Sequence, residues 1–73
     1  MQSIYSEQYK EFLARLRAKR LELRKTQVAV ARALGKPQSF VSKIENGERR
    51  LDPLELKALA GLYKVSVDWL LDR

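Results

Sequence analysis

The sequence predicts an all-α fold: one small domain of five helices joined by short turns. Three observations carry that expectation. Apolar residues recur every three or four positions through nearly the whole chain, and no stretch of note alternates as a half-buried strand does. Ser6, Thr26, Asp52 and Ser66 stand where periodic segments begin, as residues that cap a helix start do. Gly35 and Gly47 stand where two of those segments end, where a left-handed residue is wanted.

The first helix is expected from Ser6 to about Arg24, with Tyr9, Phe12, Leu13, Leu16 and Leu23 as its apolar stripe. Residues 1–5 are expected to fray. The second opens with Thr26 as N-cap and ends at Leu34, burying Val30, Ala31 and Leu34. The third occupies Pro37 to Gly47, with Pro37 in its first turn, where a missing N–H costs little. No Ser, Thr, Asp or Asn precedes that proline, so no side-chain cap is evident. The fourth has the clearest start. In Asp52-Pro53-Leu54-Glu55 an acid caps the helix, a proline takes the first position and a glutamate completes a capping box. Leu54, Leu56, Leu59, Ala60 and Tyr63 are its expected buried side, and Ser66-Val67-Asp68 opens a last helix carrying Trp69, Leu70 and Leu71. Phe40 and Trp69 both sit on apolar faces and are expected in the core rather than as stacking platforms.

Composition narrows the function. With 73 residues and 45% of them hydrophobic, the chain can build one modest core. It has no cysteine and no histidine, which excludes disulfides and argues against a zinc centre, a metal site or a histidine acid–base centre. No apolar run approaches the roughly 18 residues of a membrane span, and no signal-peptide pattern opens the chain, so a cytoplasmic protein is expected. An enzyme is not expected, because the acids form no obvious pair and no phosphate-binding loop occurs. No cofactor or small-molecule substrate is implied. The net charge is +6, and twelve bases against four acids between Lys10 and Arg50 concentrate a net of +8 there. That asymmetry points to a polyanion, with nucleic acid ahead of an anionic membrane.

The third helix has two unlike faces. At about 100° per residue Phe40, Val41 and Ile44 share one arc, while Gln38, Ser39, Ser42, Lys43 and Asn46 fill the other. A face made only to be wet usually mixes Glu with Lys. This one holds amides, hydroxyls and an ammonium, with no acid at its centre. Arg20 is the other anomaly. It falls in the apolar stripe of the first helix, between Leu13 and Leu16, so it must snorkel to water or meet a buried acid. Glu45, at the apolar edge of the third helix, is the favoured partner.

The second helix, the turn at Gly35 and the third helix form a helix-turn-helix unit. Thr26-Gln27-x-x-Val30-Ala31-x-x-Leu34-Gly35 and Gln38-Ser39-Phe40-Val41-Ser42-Lys43-Ile44-Glu45-Asn46-Gly47 resemble the Cro and phage-repressor (Xre-like) class. So does the ending Val65-Ser66-Val67-Asp68-Trp69-Leu70-Leu71. The resemblance spans Phe12 to Leu71. It implies a lambda-repressor-like bundle of five helices whose third helix enters the DNA major groove, and an ion pair between the positions of Arg20 and Glu45. Two departures stand out. Val28 and Ala29 replace polar or acidic residues common in the class, and Pro37 occupies a place often held by a Ser or Thr cap.

Side-chain chemistry then distributes roles. Gln38, Ser39, Ser42 and Lys43 are expected to read base edges, since amides match adenine N6 and N7, lysine matches guanine O6 and N7, and serine serves any edge. Gln27, Asn46, Arg49 and Arg50 are expected at phosphates, with Arg17, Arg24, Lys25 and Lys36 adding diffuse field. A homodimer is expected, because one helix reads too few base pairs to define a site. Leu51, Val67, Leu70 and Leu71 are the expected interface. The leading function is thus a DNA-binding regulator of transcription, a repressor or controller protein, on a two-fold symmetric operator. Its rivals are an antitoxin or coactivator that docks on protein, and a basic membrane-surface helix.

Overall fold

The computed structural model describes residues 6–72, all helix, turn or loop. The fraying expected of residues 1–5 lies outside the described residues. Five helices follow in order: α1 Ser6–Glu22, α2 Gln27–Leu34, α3 Gln38–Glu45, α4 Pro53–Tyr63 and α5 Val67–Leu70. α2 packs against α3, α1 lies across α3, and α5 docks on both α4 and α1. One core joins them all. It is built from Phe12 and Leu16, Val30 and Ala31, Phe40, Val41 and Ile44, Leu59, Ala60 and Tyr63, and Leu70.

Local chemistry explains most boundaries. The Thr26 hydroxyl accepts from the Ala29 N–H, and Gly35 closes α2 at φ 68°. At α4 the Asp52 carboxylate accepts from the Glu55 N–H while the Glu55 carboxylate accepts from the Asp52 N–H, a complete capping box. Each bond satisfies an N–H that the helix itself leaves open. Gly47, at φ 79°, ends the turn after α3, and a Cβ there would press Leu13 Cδ1 at 3.4 Å. Four residues make α5 too short to persist alone. It is held from both ends: the Ser66 hydroxyl accepts from the Trp69 N–H, and Arg15 Nε donates 2.8 Å to the Leu70 carbonyl. That guanidinium sits at the carboxyl end of α5, where a cation is favoured.

Several expectations need correction. α1 stops at Glu22, because Arg24 turns left-handed at φ 58°, and Leu23 falls in the turn at the surface. Pro37 precedes the first turn of α3 as its N-cap. Leu54 is 76% exposed and contributes nothing to the buried side of α4; Leu59, Ala60 and Tyr63 do that work. Trp69 is 43% exposed, with the Lys19 ammonium 4.9 Å from its ring centroid. Leu70 is wholly buried. It belongs to the core of the domain and is withdrawn from the expected interface.

Tyr63, buried beneath α1 and α3, carries a consequence for pH. Burial pushes its hydroxyl up from 10 to about 12, the Glu45 carboxylate adding to the rise and Arg20 opposing it. Below about pH 10 the phenol is neutral in folded and unfolded chains alike. Between about 10 and about 12 the unfolded chain ionises first and gains stability, so the fold loses about 2 kcal/mol across that window. Urea melts of wild type and Tyr63→Phe at about pH 9 and about pH 12 should show the phenylalanine variant spared that loss. Equal losses would contradict it.

Candidate nucleic-acid interface

α3 presents to solvent the face that its sequence suggested. Phe40, Val41 and Ile44 are buried, while Gln38, Ser39, Lys43 and Asn46 are exposed and Ser42 is half-buried at the edge. The apolar arc fixes which way the helix rolls, and the roll decides where the polar groups point.

Beneath this face lies the ion pair. Arg20 Nε donates to Glu45 Oε2 at 2.6 Å and Nη2 to Oε1 at 3.0 Å, a forked contact between side chains only 8% and 5% exposed. Arg20 Nη1 donates to the Lys25 carbonyl at 2.9 Å. The hydrogen bond to Glu45 raises the guanidinium pKa further above its ordinary value, against the opposing pull of burial. A forked, hydrogen-bonded geometry is what lets a buried pair offset its desolvation.

From Glu45 the network runs outward. Gln27 Nε2 donates to Glu45 Oε1 at 3.0 Å, and Gln38 Nε2 donates to Gln27 Oε1 at 2.8 Å. The chain Arg20–Glu45–Gln27–Gln38 thus connects a core charge to the first residue of α3. Gln38 spends one N–H on Gln27 and keeps its carbonyl and a second N–H. That remaining donor–acceptor pair is the one adenine N6 and N7 require.

A family model described as helix-turn-helix matches residues 16–70, from the middle of α1 through α5. The chain belongs to that family. It is a DNA-binding helix-turn-helix domain of the Cro and phage-repressor type. No solved structure matches the chain. Among the described residues no helix is long and apolar enough to cross a membrane.

The helix-turn-helix domain employs several of its expected phosphate contacts internally. Gln27 is engaged at both ends of its amide, leaving one N–H. Arg49 forks onto Glu55, Nη1 to Oε1 at 2.7 Å and Nη2 to Oε2 at 3.0 Å, and lies 4.7 Å over the Phe40 ring. Glu55 is the same residue that completes the α4 capping box, so Arg49 ties the exit of α3 to the start of α4. Its hydrogen bonds to Arg49 hold the Glu55 carboxyl below its usual value. Arg50 lies 4.5 Å over the Tyr9 ring. Asn46 is the C-cap of α3, and its Nδ2 reaches Glu48 at 3.4 Å. Arg17, Arg24 and Lys36 are exposed and Lys25 is half-buried, with the Lys36 ammonium 5.3 Å from the Phe40 centroid.

The expected interface residues separate. Leu51 and Val67 are half-buried against the core, and Leu71 is 43% exposed. Leu51 and Leu71 line one groove of about 450 Å³ with Tyr9, Phe12 and Leu56, rimmed by Glu11, Arg15 and Asp72. Val67 does not line it. The Gln27–Gln38 bond, the Arg49–Glu55 fork and the Arg15 cap were not anticipated from sequence. Each joins residues on different elements, and nothing in the local pattern of either element pairs them.

Removing one member of the buried pair tests its weight. Glu45→Ala should lower stability by about 3–5 kcal/mol in urea unfolding, because it leaves the Arg20 charge uncompensated. A loss under about 0.5 kcal/mol would retire the pair as a structural element.

Proposed function

We propose that this domain is a sequence-specific regulator of transcription that binds double-stranded DNA as a homodimer on a two-fold symmetric operator. One observation carries the reading. The solvent face of α3 offers Gln38, Ser39, Ser42 and Lys43 together, without an acid, and Gln38 is oriented before any ligand arrives. A preoriented amide forfeits little rotamer entropy on binding, so its hydrogen bonds contribute more fully to discrimination. Gln38 and Lys43 are the leading base readers, with Ser39 and Ser42 beside them. Asn46, Arg50 and the remaining N–H of Gln27 serve the phosphates. Arg49 serves there only by exchanging Glu55 for DNA.

The groove lined by Leu51 and Leu71 is the pairing surface of the proposed dimer. Its lining carries both signs, Glu11 and Asp72 with Arg15, which lets acid meet base when the same patch faces itself across a two-fold axis. The domain measures 37 × 24 × 21 Å, a size that lets two copies set their α3 helices about 34 Å apart, one turn of duplex. Such a dimer acts sterically, blocking polymerase over a promoter, in the manner of a repressor or controller protein at the nucleoid of the cytoplasm.

Selection from random duplexes tests this directly. A two-fold symmetric site should be enriched, and Gln38→Ala should reorder the ranking of its variants, each good contact being worth about 1–3 kcal/mol. With about eight phosphates engaged per dimer, log affinity should fall against log salt at a slope near −7. No enrichment would favour a protein-docking module of the antitoxin or coactivator kind. An unchanged ranking would remove Gln38 as a reader.

A further inference from the structure

Pro37 stands immediately ahead of Gln38 as the N-cap of α3, at φ −70° and ψ 157°, with no side-chain hydrogen bond closing the turn. The favoured residues there carry an oxygen that bonds a free N–H of the first turn. Proline has no such oxygen and no N–H of its own. What it brings is a rigid apolar ring, and that ring is exposed.

The neighbouring side chain is fixed as well. Gln38 is held 2.8 Å from Gln27, and the pyrrolidine ring has almost no rotamers to lose. The leading end of α3 therefore carries a polar reader and an apolar surface in one fixed relation. Residues at that end of a recognition helix are those that reach base edges. Among the groups displayed in the major groove, the one apolar group is the C5-methyl of thymine.

We infer that Pro37 is a specificity residue whose ring packs on the C5-methyl of a thymine adjoining the base pair read by Gln38. The inference rests on the DNA-reading proposal and adds a preference that hydrogen bonds alone do not supply. It also accounts for an uncapped helix start at the point of contact: a serine would close the turn but leave the methyl without an apolar partner.

Deoxyuridine differs from thymidine by that methyl alone, so the test is direct. Each thymine of the selected operator is replaced by deoxyuridine in both half-sites, and affinity is measured for wild type and for Pro37→Ser. Serine is a preferred N-cap, so this variant keeps the helix start and lacks the ring. Wild type should lose about fourfold per half-site at one position, hence about fifteenfold per symmetric pair, as burial of one methyl predicts. Pro37→Ser should lose less than about twofold at that position. If wild type tolerates deoxyuridine everywhere, or if both proteins lose equally, the assignment of Pro37 is overturned while base reading by Gln38 stands. If selection enriches no site, both proposals are overturned together.

Discussion

A single buried charge pair organises this domain. Arg20 comes from α1 and Glu45 from α3, and their forked contact ties the scaffold to the helix that faces outward. Replacing such a pair with well-packed apolar residues is often neutral for stability, so its value here lies in orientation. The apolar arc of α3 sets the roll of the helix, and the ion pair sets its position along α1. Glu45 then directs Gln27, and Gln27 directs Gln38. A core constraint is thereby expressed at the surface through three side-chain hydrogen-bonded steps.

Several of the chain's basic side chains are engaged in ties between its helices. Between Lys10 and Arg50 the sequence carries a strong basic excess, but part of it is committed inside the molecule. Arg15 caps α5, Arg20 meets Glu45, and Arg49 meets Glu55. Lys19 divides its ammonium between Glu22 and the Trp69 ring. These contacts hold α1 to α3, α1 to α5, and the exit of α3 to α4. A core this small gains from such ties, since it buries a limited share of its chain. The net charge of +6 already counts the paired acids, so these ties leave the long-range field unchanged and limit only which cations can grip a phosphate.

What was legible in the sequence was local or periodic. Thr26, Asp52 and Ser66 mark helix starts because a short side chain satisfies an N–H three residues on, and that signal is complete within four residues. The α3 faces and the Arg20–Glu45 partnership followed from angular position, the second with support from a family resemblance. What was missed depended on how elements meet. Leu54 fits a helical stripe, yet it lies at the first turn of α4, beyond the reach of the core. Leu70 and Trp69 are neighbours on a four-residue helix, and only the docking of α5 decides that one is buried and the other half-exposed. The Arg49–Glu55 fork was missed because its two residues lie on either side of a turn.

The proposed function depends on contact between duplex bases and the outward face of α3, which Arg20 and Glu45 fix from beneath. Side-chain nuclear magnetic resonance of the labelled domain, titrated with its selected duplex, tests it most directly. The Gln38 amide, the Ser39 and Ser42 β-carbons and the Lys43 ε-position should shift together, while the Leu16 and Ile44 methyls stay in place. Shifts confined to the Leu51–Leu71 groove or to α5, with the Gln38 amide unmoved, would contradict it.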